Sequence, residues 1–307
     1  MEKRRIIITI VAMTTTLLGL SSCGNRTVRD FEPGISLSLF GGSDIPTEAQ
    51  LQQVKDAGVE WVEVIMNPLV RGISREEGLL RAQKEKEMLD RVGLKVWSCH
   101  LPYGRCKFRN YDISVLDDSL RREAVEQDLY MLELSKMFAP SRIVLHPSAE
   151  PVPDGERGQR LVNSRQSIGI IAEAVRKTGA ILCVEELPRT CLGNTAAEMT
   201  YLIGDYPDVM CTFDLNHLLG DTHENFFNVL GNRIRHIHAS DYDRINERHW
   251  LPYTEGGVID WAFIISSLRK IDYDGVFMFE VRNGENVCPQ TIVKAYERMK
   301  ASCPASK

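Results

Sequence analysis

The chain has 307 residues, with 42 acidic against 37 basic side chains and a net charge of −5. That balance suits neither a basic groove nor a phosphate backbone, so a nucleic-acid partner is not expected. Eight cysteines without tight pairing spacing argue against a disulfide framework; Cys99, Cys183 and Cys211 lie inside apolar runs and read as small core residues.

The first residues read as an address. Lys3, Arg4 and Arg5 precede an apolar stretch over 6–20, short for a bilayer span and of the length of a signal-peptide core. Leu20, Ser21, Ser22 and Cys23 follow, and they resemble the bacterial lipobox. The resemblance implies a signal peptide over 1–22 and lipidation of Cys23 as the mature N-terminus. Cleavage there removes Glu2, Lys3, Arg4 and Arg5, a net of +2, and takes the charge from −5 to −7. Residues 23–33 are polar and serve as a tether, so the expected membrane contact is an acyl anchor and not a transmembrane helix. Residues 24–29 carry no acidic cluster, which favours the periplasmic side of the cell envelope.

Beyond the tether, strand-like and helix-like segments alternate. Candidate strands cover 35–40, 59–65, 94–100, 142–146, 180–185, 209–214, 233–238 and 276–281. Helical patterning covers 47–57, 75–92, 117–138, 160–177, 196–203, 260–270 and 291–299, with three- and four-residue apolar spacing such as Ile168, Ile171 and Val175. Eight strand-helix units without a low-complexity break predict an α/β fold, a single-domain (β/α)8 TIM barrel over 34–307. The longest excursions, 102–116, 147–159 and 240–259, follow strands three, four and seven, on the face where such barrels do chemistry.

Glu185, Asp214, His238 and Glu280 each close an apolar run. Gathered at one mouth, three carboxylates would force one another neutral, and a divalent cation removes that conflict. Oxygen-rich ligands with one imidazole suit Mn, Zn, Co or Mg. His236 and His238 are two apart, so both point into the barrel at different depths: His238 is the ligand candidate and His236 a packed core histidine. Asp214 and His217 are one tight turn apart and can face the same pocket. His100 and His146 end runs shortly before prolines, as pocket residues or as hydrogen-bonded strand-end histidines. Glu247 and His249 can point the same way from the loop after strand seven. Trp61, Trp97, Tyr103, Trp250 and Tyr253 could form a sugar platform, although Trp61 and Trp97, lying within strands, also fit core packing.

Nearly the whole chain after Cys23 resembles the xylose-isomerase-like barrel superfamily, which contains sugar phosphate isomerases and epimerases and type 2 apurinic endonucleases. The resemblance rests on Val184, Glu185, Glu186, Leu187 and Pro188; on Phe213, Asp214, Leu215, Asn216 and His217; on His236 to Asp241; on His249 with Gly256, Gly257, Ile259, Asp260 and Trp261; and on Phe279 with Glu280. By likeness to its ketose 3-epimerases, Glu185, Asp214, His238 and Glu280 hold one divalent metal. Glu185 and Glu280 also exchange the substrate proton, and Glu63, His100, His146, Glu186, His217, His249 and Arg282 are the expected substrate contacts. By likeness to its endonuclease IV branch, further metals could sit on His100, His146, Glu247 and His249. The chain departs from that branch at Glu247, where Asp is usual, and from many members at Glu186, where Asn is usual.

The resulting expectation is a metal-dependent enzyme that abstracts a proton next to the carbonyl of a small-molecule carbohydrate: a sugar isomerase or epimerase, or a β-eliminating lyase of 3-keto-glycosides. An endonuclease IV-like phosphodiesterase and a lipid-anchored sugar-binding protein without turnover are the alternatives.

Overall fold

Eight short runs rich in Val, Ile, Phe and Cys become parallel strands: β1 (Pro33–Ser36), β2 (Trp61–Ile65), β3 (Lys95–His100), β4 (Arg142–Leu145), β5 (Ile181–Glu185), β6 (Met210–Asp214), β7 (Ile234–Ala239) and β8 (Phe277–Phe279). They close into one ring in the order β1-β8-β7-β6-β5-β4-β3-β2, which confirms the expected TIM barrel. This computed structural model describes residues 31–41, 44–106, 109–282 and 286–303. The signal segment, Cys23 and most of the tether lie outside the described residues. Among the described residues no helix is long and apolar enough to cross a membrane.

Helices α1 (Glu48–Asp56), α2 (Arg75–Val92), α3 (Asp118–Ser135), α4 (Arg157–Arg176), α5 (Ala196–Ile203), α6 (His223–Leu230), α7 (Trp261–Lys270) and α8 (Pro289–Ser302) surround the ring. Local chemistry sets several ends. Thr47 and Gln50 form a reciprocal capping box on α1, Ser74 accepts from the Glu77 amide on α2, and Gly93 ends α2 in the left-handed region at φ 77°. Two expectations need correction. The first strand stops at Ser36, because the Ser36 hydroxyl accepts from the Ser38 amide and turns 37–40 into a 3-10 helix. The periodicity reading also omits α6. Only eight residues long, α6 is capped by Thr222 and buries Phe226, Phe227 and Leu230.

The excursions are built rather than slack. In 102–116, Arg105–Cys106 and Arg109–Asn110 form a small antiparallel ladder. Buried polar groups of α4 hold the end of that excursion: Ser167 Oγ donates to the Ile113 carbonyl and Asn163 Nδ2 to the Val115 carbonyl. The loop after β7 is organised by the Asp241 carboxylate, which accepts from the amides of Tyr253, Val258 and Ile259 and from the Trp261 indole. A Cβ at Gly257 would stand 2.6 Å from that carboxylate, so glycine is required for the approach.

Candidate active site

Parallel strands bring all their C-terminal ends to one mouth, and side-chain alternation decides which residue of each strand looks inward there. Glu185 and Asp214 end β5 and β6, His238 is the penultimate residue of β7, and Glu280 directly follows β8. One ligand atom from each of the four lies within 4.8 Å of those from the other three, and all four residues are buried. His238 Nδ1 is 3.1 Å from Glu185 Oε1, 3.1 Å from Glu280 Oε2 and 3.8 Å from Asp214 Oδ2.

The donor set fits a divalent cation. Three carboxylates and an imidazole converge, and the buried Asp214 Oδ2 makes no hydrogen bond. Without a cation the group is balanced by protons. Burial opposes the charge on His238, yet Glu63, Glu185 and Glu280 hold its pKa well above the ordinary histidine value. Glu185 is held well below the usual carboxylate range against burial by His238, His146 and His100, and Glu280 by Arg282 and His238. Burial and the Glu280 charge push Asp214 well up. Metal uptake therefore requires Asp214 and His238 to lose protons, so affinity should rise with pH and binding should release protons. Calorimetric titration of chelator-stripped protein with Mn or Zn, in buffers of different ionisation enthalpy, measures this; uptake without proton release would contradict the arrangement.

Beneath this layer the structure corrects two expectations, Glu63 and Glu186. Glu63 does not face the cavity: it is fully buried, and its Oε2 accepts from Ser98 Oγ at 2.8 Å and from His236 Nε2 and His238 Nε2 at 3.1 Å each. It is a positioning residue, because a carboxylate on Nε2 leaves His238 Nδ1 as the nitrogen turned toward Glu185 and Glu280. Against burial, the two histidines hold its pKa below the usual range. His236 is the packed histidine expected, with Trp97 Nε1 donating to its Nδ1 at 3.3 Å; burial depresses its pKa to about 4. Glu186 is also behind the wall, fully buried, its Oε2 accepting from the Asp214 amide at 3.1 Å. Its expected substrate contact is replaced by support of Asp214.

Above these four residues is a cavity of about 170 Å³ lined by His100, Tyr103, His146, Glu185, Arg189, His217, Glu247, His249, Glu280 and Arg282, among others. His100 and His146 each bring Nε2 to 3.0 Å from Glu185 Oε2. The His100 Nδ1–H faces the Leu101 carbonyl at 2.9 Å, and Glu185 raises its pKa against burial. His217 Nδ1 donates to the Glu186 carbonyl at 3.0 Å while Nε2 lies 3.4 Å from Asp214 Oδ2. Burial works against its charge, but Glu186 raises the pKa to about 9. His249 Nδ1 faces the Glu280 carbonyl at 3.1 Å, and burial lowers its pKa to about 3.

Three further groups converge like the first among the described residues: His100, His146 and Glu185, and Asp214, His217 and His249 around the cavity, and Glu63, His236 and His238 beneath it. Glu247 joins none of them. Its carboxylate pairs with Arg189, which also grips Glu150, so three loops are tied across the mouth. Of the aromatic candidates only Tyr103 lines the cavity, stacked 4.6 Å from the His146 ring; Trp61 and Trp97 pack edge to face in the barrel at 5.6 Å. Sequence reasoning missed Arg189, a loop residue at φ 53° that directly follows the motif at 184–188, because its carboxylate partners are distant in the chain.

Solved structures share this architecture. A D-tagatose 3-epimerase-like protein superimposes with a TM-score of 0.71 at 21% identity, over 88% of this chain and 96% of that one. The 3-keto-D-glucoside 4-epimerase YcjR from E. coli gives 0.67 at 16% identity, over 89% and 100%. In sequence, the uncharacterized protein MJ1188 of Methanocaldococcus jannaschii is 23% identical over 171 residues, a match spanning 55% of this chain and 62% of that protein. The model of the xylose isomerase-like TIM barrel family matches residues 51–301, and the chain belongs to that family.

Proposed function

We propose that the chain is a divalent-metal-dependent carbohydrate enzyme that removes a proton from the carbon next to a carbonyl of a sugar or keto-sugar. The supporting observation is the placement of Glu185 and Glu280. They stand three strands apart around the ring, both 3.1 Å from His238 Nδ1, and face one small cavity from different sides. Such a pair lets one carboxylate take the proton while the other stands ready to return one. The C–H electron pair passes toward the carbonyl oxygen. Return of a proton to the opposite face of the same carbon gives an epimer, return to the neighbouring carbon an isomer, and expulsion of a β substituent an elimination product. A Mn, Zn, Co or Mg ion held by Glu185, Asp214, His238 and Glu280 would supply a Lewis acid that steadies the charge on the substrate oxygen. His100, His146, His217, His249 and Arg282 line the cavity and are the hydroxyl-binding groups of this reading.

Substrate deuterated at the reacting carbon tests it. We expect a primary isotope effect on the chemical step, or loss or migration of label, in product formed from free and 3-oxidised sugars. Turnover with none of these would falsify proton abstraction. The reading extends to a lipid-anchored place in the cell envelope through Cys23: Cys23→Ala should leave the membrane fraction, and unchanged retention would refute the anchor.

A second reading, a phosphodiesterase of the endonuclease IV kind, is favoured by one observation: the first group and the two around the cavity share Glu185 and Asp214 and so lie against one another. The Arg189 partner of Glu247 and the acidic net charge count against it. Cleavage of abasic-site DNA by the metal-loaded protein would support it.

A further inference from the structure

We propose that the substrate is a glycoside of two linked sugar units, with the reacting unit over Glu185 and Glu280 and the other in a second cavity beside it. This rests on the carbohydrate reading and narrows it. The second cavity is also about 170 Å³, and Tyr103 and Arg282 line both, so the two spaces meet at one pair of side chains. Each cavity is small beside typical ligand pockets of roughly 300–1,000 Å³, and the two joined reach that range.

The polar groups in the second cavity select for a hydroxyl-bearing ring. Asn67 and Glu85 line it, and their Oδ1 and Oε2 atoms are buried without a hydrogen-bond partner among the described residues. Asn67 Nδ2 is already committed, donating to the Tyr103 carbonyl at 3.2 Å, so the free oxygen has a fixed direction. Burial, with the Asp44 charge adding to it, pushes the Glu85 carboxyl up to about 8, so at neutral pH it is a neutral donor-acceptor pair. Arg71 adds guanidinium donors, its charge 5.7 Å from the Tyr103 ring centroid, with no carboxylate partner among the described residues. Leu37 and Pro68 supply apolar wall for the face of a ring. An aryl group would leave Asn67 Oδ1 and Glu85 Oε2 unpaired, whereas a sugar hydroxyl can supply the partner they lack.

Calorimetry on the metal-loaded full chain compares methyl α- and β-glucoside and methyl β-galactoside with maltose, cellobiose and lactose, each with and without oxidation at C3. The disaccharide of the accepted series should bind at least about tenfold tighter than its methyl glycoside. Ser38 lines only the second cavity, so Ser38→Phe should fill it and abolish that advantage while methyl glycoside affinity stays unchanged. Glu85→Leu is the companion variant: it removes an unpartnered buried oxygen and adds no bulk, so it should fold and should reduce the same advantage. Equal affinity for one and two units, or an advantage that survives both variants, overturns the subsite. No binding by any sugar sinks the carbohydrate reading with it, whereas a disaccharide advantage without isotope-sensitive turnover supports the subsite and removes only the proposed chemistry.

Discussion

Glu185→Gln and Glu280→Gln should each lower turnover by about 10²- to 10⁴-fold, the range for loss of a positioned acid-base group. The amide keeps the shape and cannot take a proton. Each carboxylate also counters buried positive charge: Glu185 faces His100, His146 and His238, while Glu280 pairs with Arg282 and His238. Metal content should fall with activity, so both are measured on the same preparations. The double variant should be little worse than the poorer single one, because the two act as one unit. Either variant keeping turnover within tenfold, at full metal content, would remove that residue from the chemistry.

Arg160→Met should destabilise the fold by about 3–5 kcal/mol, the cost of breaking a buried ion pair from one side. Arg160 on α4 is 2% exposed and pairs with Asp112, which is fully buried; its guanidinium also donates to Ser114 Oγ at 3.0 and 3.1 Å. This pair fastens the end of the excursion that carries Tyr103, so a looser loop should also raise KM. Urea denaturation gives the energy, and Arg160→Met with Asp112→Leu should recover part of it, since both charges are then gone. A single variant within about 1 kcal/mol of the parent would show that the pair contributes little net stability.

Much of the site was legible before any coordinates. Glu185, Asp214, His238 and Glu280 sit at the ends of apolar runs, and once the runs are parallel strands of one ring, geometry leaves them no choice but a shared mouth. The two-residue spacing of His236 and His238 likewise placed one beneath the other, because a strand repeats its facing every second residue.

Tertiary structure decided the partners. Glu63 lies under His238 because closure of the ring brings the inward face of β2 within reach of β7, an approach that no single strand's sequence records. Glu247 lies on a loop whose path is set by Asp241, far along the chain from the Arg189 that captures it. The second cavity gathers groups from the loops after β1, β2, β3 and β8 and from α2; no local period records such an assembly, since it exists only when the ring has closed. Strand ends are a property of local pattern, whereas carboxylate partners and cavities are properties of register and loop path, which long-range packing alone determines.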